Sequence, residues 1–174
     1  MNQINRYHRA GFTLVEMIAA TAILAMLTTS SFALVRTAND AWRRHRDDAQ
    51  SRREAIAVLQ HVVRQVRQAT QVTAISTASD TSGYLTLLMA NGTSALWNHN
   101  SGTSEVLFGT TTANNLLAES ITQMNVVGLT ANGLAQTMDP AKIHAVRCQL
   151  TYALSRPTGP VHETVSCIAW LRAW

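Results

Sequence analysis

The sequence lacks the short motifs that identify the common enzyme active sites. It contains no Gly-x-Ser-x-Gly turn, no phosphate-binding loop and no Gly-x-Gly-x-x-Gly fingerprint. Its six histidines do not show the close His or Cys spacing of a zinc site, and its ten acidic residues are too scattered to predict a calcium loop. We therefore expect no catalytic residue, no metal and no cofactor, and we predict that the protein is not an enzyme.

Glycine and proline are absent from Phe12 to Ser82, and charge is scarce in the first part of that stretch. From Phe12 to Val35 the chain carries a single charged residue, Glu16. As a helix this segment would be about 36 Å long at about 1.5 Å per residue, which is enough to cross a hydrocarbon core of about 30 Å. The apolar part of an ordinary signal peptide is shorter. We predict a transmembrane helix over residues 12–35.

Two alternatives stay open for this segment. One is a secretory signal cleaved near residues 30–33, and the other is a plain uncleaved membrane anchor. Neither alternative explains why an acidic residue lies a few positions into an apolar run.

The segment that precedes and begins the apolar run resembles a known processing site. Residues 11–17 read Gly-Phe-Thr-Leu-Val-Glu-Met, and a short leader with Arg6 and Arg9 comes before them. This arrangement resembles the cleavage-and-methylation motif of type IV pilins and type II secretion pseudopilins. The resemblance implies that residues 1–11 are a cytoplasmic leader, that a prepilin peptidase cuts after Gly11, and that the new amino-terminal Phe12 is methylated.

Glu16 is unusual for a membrane-spanning segment, because it places a charged carboxylate among apolar residues. A carboxylate in hydrocarbon costs roughly 2.5–3.5 kcal/mol, so it needs a partner. No Lys or Arg lies between Phe12 and Val35. The pilin resemblance implies that Glu16 of one subunit pairs with the Phe12 ammonium of its neighbour in a helical filament. The alternative is a shallow carboxylate that reaches the lipid headgroups.

The section from Arg36 to Arg67 is rich in arginine, with eight Arg against four acidic residues. The simplest interpretation is a solvated helix face with intrahelical pairs such as Asp48 to Arg52. Contact with anionic membrane lipid, with DNA or with neighbouring subunits stays open. The formal net charge of +4 does not by itself indicate a nucleic-acid partner, which we consider the least favoured.

The rest of the chain predicts an amphipathic helix followed by strands. Apolar residues at helical spacing from Ala55 to Val66 indicate a helix face that packs on a sheet. We predict this helix over residues 36–70, because strand propensity rises from Thr70 onward. Asn91-Gly92 is a strong hairpin signal, and Asn132-Gly133 marks a further turn. Further strands are predicted over Tyr84–Ala90, Thr93–Trp97, Glu105–Phe108 and Ile121–Leu129, with loops over 76–83, 110–115 and 131–142.

These elements predict an α+β fold. A long amino-terminal helix, half membrane-spanning and half amphipathic, packs on an antiparallel β-meander that occupies residues 71–174. The pilin resemblance implies the same architecture.

The last predicted hairpin brings the two cysteines together. With its turn centred between Pro157 and Thr158, Cys148 lies opposite Cys167. Directly opposed residues have Cα atoms about 4.5–5.5 Å apart, within the disulfide range of about 4.4–6.8 Å. A domain exported to an oxidising space would bridge such a pair. Two buried thiols that serve as small core residues are the alternative.

The order of features in the β region is similar to that of J-type minor pseudopilins, and W-type minor pilins have a similar order. These features are Leu96-Trp97, Leu117–Ile121, Asp139-Pro140 and the closing Trp170-Leu171-Arg172. The resemblance implies a minor subunit that joins other pseudopilins or pilins in a short filament, built by an inner-membrane assembly platform. The alternative is a membrane-tethered β-domain that binds an envelope partner or DNA and never polymerises.

The resemblance also implies a topology. The chain would cross the bacterial inner membrane once, with its amino terminus in the cytoplasm and its β-domain in the periplasm. Charge counting does not decide this orientation. Arg6 and Arg9 favour a cytoplasmic leader, whereas arginines on the other flank argue the opposite.

Overall fold

The computed structural model describes residues 11–154, 156 and 158–172. One helix, α1 (Leu14–Val66), precedes eight strands in the described residues. The strands are β1 (Ala69–Ile75), β2 (Tyr84–Met89), β3 (Ser94–Asn100), β4 (Glu105–Gly109), β5 (Asn115–Ala118), β6 (Ile121–Leu129), β7 (Ala145–Leu154) and β8 (Val161–Trp170). A short 3₁₀ helix, Pro140–Lys142, lies before β7. The chain divides into two compact units, one up to Arg43 and one from Arg44 onward, and α1 contributes residues to both. Most of the predicted leader, residues 1–10, lies outside the described residues.

The first unit is helical from Leu14, and its apolar side chains are exposed. This part of α1 contains a stretch long and apolar enough to cross a membrane, and the residues that the structure describes bury none of it. Large exposed side chains here include Phe12, Leu14, Val15, Ile18, Leu24, Leu27, Phe32 and Leu34. Water does not favour so much contiguous apolar surface on an isolated helix, so the arrangement suits a lipid environment.

Hydroxyl groups within this apolar stretch are satisfied by the helix itself. The hydroxyls of Thr21, Thr28 and Thr29 donate to carbonyl oxygens three and four residues earlier, at 2.8–3.0 Å. Ser30 donates in the same way to Met26. Because these donors need no water, the polar side chains add little to the cost of placing the helix in lipid.

In the second unit, the last part of α1 packs on the sheets through one apolar stripe. The buried residues Ala55, Val58, Leu59, Val62 and Val66 fall at positions i, i+3, i+4, i+7 and i+11, which share one face of a helix. The helix ends at Val66, earlier than the predicted residue 70, and β1 begins at Ala69. Ala69 is fully buried and pairs with Met89 of β2. Because the residues from Ala69 onward pair with β2, they cannot continue the helix, which therefore ends before residue 70.

The strands form two antiparallel sheets. The first has the order β1-β2-β3-β4-β5 and the second β6-β7-β8. The α+β class with one long helix and antiparallel strands is confirmed, but the strands do not form one continuous meander. Ser120, between β5 and β6, has a positive φ of 62°, and this turn takes β6 out of the first sheet.

The two sheets meet where β2 approaches β6. Gly83 N–H donates to the Met124 carbonyl oxygen at 2.8 Å. A Cβ at Gly83 would lie 2.7 Å from that oxygen, so only glycine fits this contact without displacement. The core beneath the sheets includes the α1 stripe, and its largest fully buried side chains are Trp97 and Tyr152.

The predicted turns are confirmed where the structure describes them. Gly92 has a φ of 80° and its N–H donates to the Met89 carbonyl oxygen, closing the β2–β3 hairpin. Gly133 has a φ of 71° in a turn closed by a bond to Thr130. The four-residue strand β5 was not predicted, because its sequence is too short to show an alternating pattern.

Candidate functional site

The predicted cleavage junction lies in an accessible segment just before α1. Gly11 has no heavy atom within 4 Å of the position that a Cβ would occupy, and Phe12 is 84% exposed. Residues 11–13 are outside the helix, which begins at Leu14. A peptide bond in an exposed segment outside a helix is open to a peptidase, whereas a helical bond is not.

Glu16 has hydrogen-bond partners within its own chain. Its Oε2 accepts from the backbone N–H of Thr13 at 2.9 Å and from the Thr13 hydroxyl at 3.0 Å. In return, the Glu16 backbone N–H donates to the Thr13 hydroxyl oxygen at 3.3 Å. This reciprocal arrangement is a capping box, in which Thr13 is the N-cap and Glu16 the third helical residue.

The capping box changes the role that the sequence suggested for Glu16. The expected need for a partner from another subunit is wrong, because Thr13 of the same chain supplies hydrogen bonds to the carboxylate, and Thr-x-x-Glu before an apolar run is the sequence signature of this cap. The carboxylate also lies at the positive end of the helix dipole. Glu16 therefore has a local structural role, and any pairing with a neighbouring ammonium would be added to it.

The two cysteines occupy the predicted positions. Cys148 of β7 is directly opposite Cys167 of β8, and the predicted pairs Leu150–Val165 and Leu154–Val161 are also present. Both cysteines are free thiols in this structure, so the register that permits a bridge is confirmed while the bridge itself stays a prediction. Burial raises the pKa of both thiols, most strongly that of the fully buried Cys148. A raised thiol pKa means little reactive thiolate at neutral pH.

His61 of α1 is part of a contact between helix and sheet. The indole Nε1 of Trp97 donates to His61 Nδ1 at 3.2 Å. The His61 ring also lies edge-on to Phe108, with centroids 4.6 Å apart. Burial lowers the pKa of His61, and the Arg64 guanidinium lowers it further. No sequence pattern could have predicted this contact, because its residues come from α1, β3 and β4.

Polar side chains also join α1 to the β7–β8 hairpin. Arg156 Nη1 donates to Asp48 Oδ2 of α1 in an ion pair. Within the hairpin, the Tyr152 hydroxyl of β7 donates to Glu163 Oε2 of β8 at 2.9 Å. The predicted intrahelical pair of Asp48 with Arg52 is wrong. The hairpin brings a guanidinium to Asp48 from 108 residues away, and the Asp48 side chain is only 16% exposed there.

No cluster suited to a metal ion is present in the described part of the chain. Three or more His, Cys, Asp or Glu side chains do not gather there at ligating distance. The prominent chemical features of the described residues are thus the exposed junction at Gly11, the capped Glu16 and the opposed cysteines.

Comparison with known proteins identifies the amino-terminal segment. The family model for the prokaryotic N-terminal methylation motif matches residues 6–32. This match covers residues 6–11 of the predicted leader, the junction after Gly11, Glu16 and much of the apolar helix, and it is consistent with the type IV pilin and pseudopilin family. No curated protein matches the chain, and no solved structure does.

Proposed function

We propose that this chain, which carries a prokaryotic N-terminal methylation motif, is a minor pseudopilin or pilin subunit of a type II secretion or type IV pilus system. It is processed after Gly11, methylated at Phe12 and assembled from the bacterial inner membrane into a short filament. Its β-domain faces the periplasm and contacts other subunits. It acts by assembly and is not an enzyme.

The observation that carries this proposal is the methylation motif at residues 6–32 on a helix whose apolar face is left uncovered by the described residues. The motif implies processing by a prepilin peptidase and assembly with other pilins. The accessible junction at Gly11 and Phe12 is consistent with that processing. The assembly platform and the position of the subunit in the filament belong to the proposal.

A second candidate function is favoured by the capping box. Because Thr13 satisfies the Glu16 carboxylate within one chain, the residue does not require a neighbouring subunit. A membrane-tethered β-domain that binds an envelope partner without polymerising would keep Glu16 simply to cap its helix. The assembly function requires the charge of Glu16 for pairing with a neighbouring subunit. The tethered-domain function requires only its hydrogen bonds, which cap the helix.

Replacing Glu16 with glutamine separates the two roles. Glutamine also serves as the third helical residue of a capping box, so Glu16→Gln keeps the cap and removes the charge. Thr13→Val is the matched change, because it removes the cap hydroxyl and keeps the charge. It should cost about 1 kcal/mol of helix stability. Each variant is expressed in the source bacterium and assayed for amino-terminal processing by mass and for crosslinking to neighbouring subunits in the membrane.

The assembly proposal predicts that Glu16→Gln is processed at Gly11 but loses crosslinking to its neighbours. Thr13→Val should keep most of that crosslinking. If Glu16→Gln crosslinks as the unmodified chain does while Thr13→Val is impaired, Glu16 acts only as a cap and its charge has no role in assembly. If the unmodified chain itself forms no crosslinks to neighbouring subunits, the tethered-domain function is the correct one.

A further inference from the structure

A groove runs along α1 on the side that faces strand β8. Its first part, about 410 Å³, is lined by helix residues from His45 to Ile56 and by residues of the β7–β8 hairpin that include Glu163. Its second part, about 420 Å³, is lined by helix residues from Ile56 to Gln68 and by Cys167. Ile56 lines both parts, so we treat them as one surface and call it the β8 groove.

Strand β8 lies beside this groove with one edge unpaired. It is the last strand in the order β6-β7-β8, and no described strand pairs with its other side. Leu171 N–H donates to the His144 carbonyl oxygen, and the register from there to Val161 has no bulge. Hydrogen-bonded pairs alternate along an antiparallel ladder. The backbone N–H and C=O groups of the even-numbered residues, from His162 to Trp170, therefore point away from β7.

The floor of the groove is apolar. Ile56 is 38% exposed, and the side chains of Val63 and Cys167 are only partly buried. A strand added at the free edge of β8 would direct every second side chain into this space. An inward apolar side chain would cover the part of the α1 stripe that the three-stranded sheet leaves open.

The rim of the groove is basic. Arg52, Arg53, Arg64 and Arg67 line it; all four are exposed, and none takes part in an ion pair within the described residues. The lining also holds two acidic residues. Asp48 is paired with Arg156, whereas Glu163 accepts from the neutral Tyr152 hydroxyl and keeps its negative charge. The four arginines outnumber this one carboxylate, so the rim carries a net positive charge.

We propose that the β8 groove binds an extended acidic segment of a partner protein, which adds to the free edge of β8 as a fourth strand. Backbone hydrogen bonds to β8 hold the segment, its apolar side chains fill the groove, and its carboxylates meet the arginine rim. A second copy of this chain fits poorly, because its own groove would bring the same four arginines to the contact. This inference goes beyond the proposed assembly function and does not depend on it.

The probe is a fluorescent peptide of sequence Val-Thr-Glu-Thr-Val-Thr-Glu-Thr-Val, whose inward face alternates valine and glutamate. Its counterpart carries lysine in place of both glutamates. Binding to the full chain in non-ionic detergent micelles is measured by fluorescence anisotropy at low and moderate salt. We expect the acidic peptide to bind at least about tenfold more tightly than the basic one, with affinity falling as salt rises.

Two sets of variants locate the binding. Ser166 is exposed and its N–H points away from β7, so Ser166→Pro removes an edge donor but no β7–β8 hydrogen bond. Ser166→Ala is the matched control, since it keeps the N–H. Ser166→Pro should abolish binding and Ser166→Ala should leave it unchanged. Arg64→Gln combined with Arg67→Gln should weaken binding about tenfold.

Three results would overturn the proposal. The first is equal affinity for the acidic and basic peptides. The second is unchanged binding by Ser166→Pro or, if that variant does not fold, unchanged binding by the double arginine variant. The third is a dimer of the chain itself, seen by light scattering without peptide and lost in Ser166→Pro or the double arginine variant, which would make a second copy the occupant.

Discussion

Trp97 and His61, 36 residues apart in sequence, are joined by a hydrogen bond of 3.2 Å from the indole Nε1 to the imidazole Nδ1. The bond fixes the state of the histidine. Nδ1 must be unprotonated to accept, so His61 is neutral here and carries its proton on Nε2. The contact between helix and sheet at this point therefore depends on pH.

We predict that the second unit loses stability in mild acid through His61. Its pKa is lowered by burial and then by Arg64, so the folded protein binds the proton less readily than the unfolded chain. The stabilising contribution is present in full above about pH 6.5, and it is lost as the pH falls from there through the lower pKa of the folded protein. His61→Gln keeps an acceptor without this titration and should change the stability at pH 8 by no more than about 1 kcal/mol.

The check is a series of unfolding curves from pH 8 to pH 5 for both chains in micelles. The difference between the unmodified chain and His61→Gln removes the contributions of the other histidines, which the two chains share. The unmodified chain should lose more stability than the variant in acid. Parallel pH profiles would show that His61 does not titrate in this contact.

A second prediction concerns the opposed cysteines. Because Cys148 and Cys167 pair directly, oxidation should close a disulfide without rearranging β7 and β8. The bridge should add about 3 kcal/mol to the free energy of unfolding. Because burial raises the pKa of both thiols, uncatalysed oxidation near pH 7 should be slow and should accelerate as the pH rises.

The oxidation state is measured by alkylating the denatured chain without reductant after extraction from its native membrane. Bridged cysteines stay unmodified, and the chain becomes more stable than Cys167→Ala. Alkylation at both positions would show that the pair consists of two core thiols in the cell.

A third prediction tests the contact between the two sheets. Gly83→Ala would place a Cβ 2.7 Å from the Met124 carbonyl oxygen, a backbone atom that cannot move independently. We expect a loss of about 1–3 kcal/mol, typical of overpacking. Gly102→Ala is the control, because the nearest atom to its Cβ is the movable Asn100 side-chain oxygen, at 3.3 Å. Chemical unfolding of both variants in micelles gives the comparison, and equal stability would mean that the β2–β6 contact adjusts freely.

The features that the sequence predicted well depend on local patterns. The turn at Asn91-Gly92 and the alternation around Cys148 determine pairing between neighbouring strands, so the β7–β8 register could be derived from spacing alone. The long helix followed from the absence of glycine and proline, although strand pairing at Ala69 ended it early.

The features that were missed depend on contacts between distant residues. The division into two sheets follows from the positive φ of Ser120 and from the meeting of Gly83 with Met124, and neither has a periodic signature. Asp48 lies four residues before Arg52 but binds Arg156 instead. The cap at Thr13 is different, because Thr-x-x-Glu before an apolar run is a local motif and is predictable from the sequence.

The intact mass of the native chain extracted from its membrane shows whether the chain is processed after Gly11. We predict a chain that begins at Phe12 and carries one added methyl group. A chain that begins at Met1, or one cleaved beyond Phe32, would contradict processing at Gly11. The pairing of Glu16 with a neighbouring Phe12 ammonium would then have no basis.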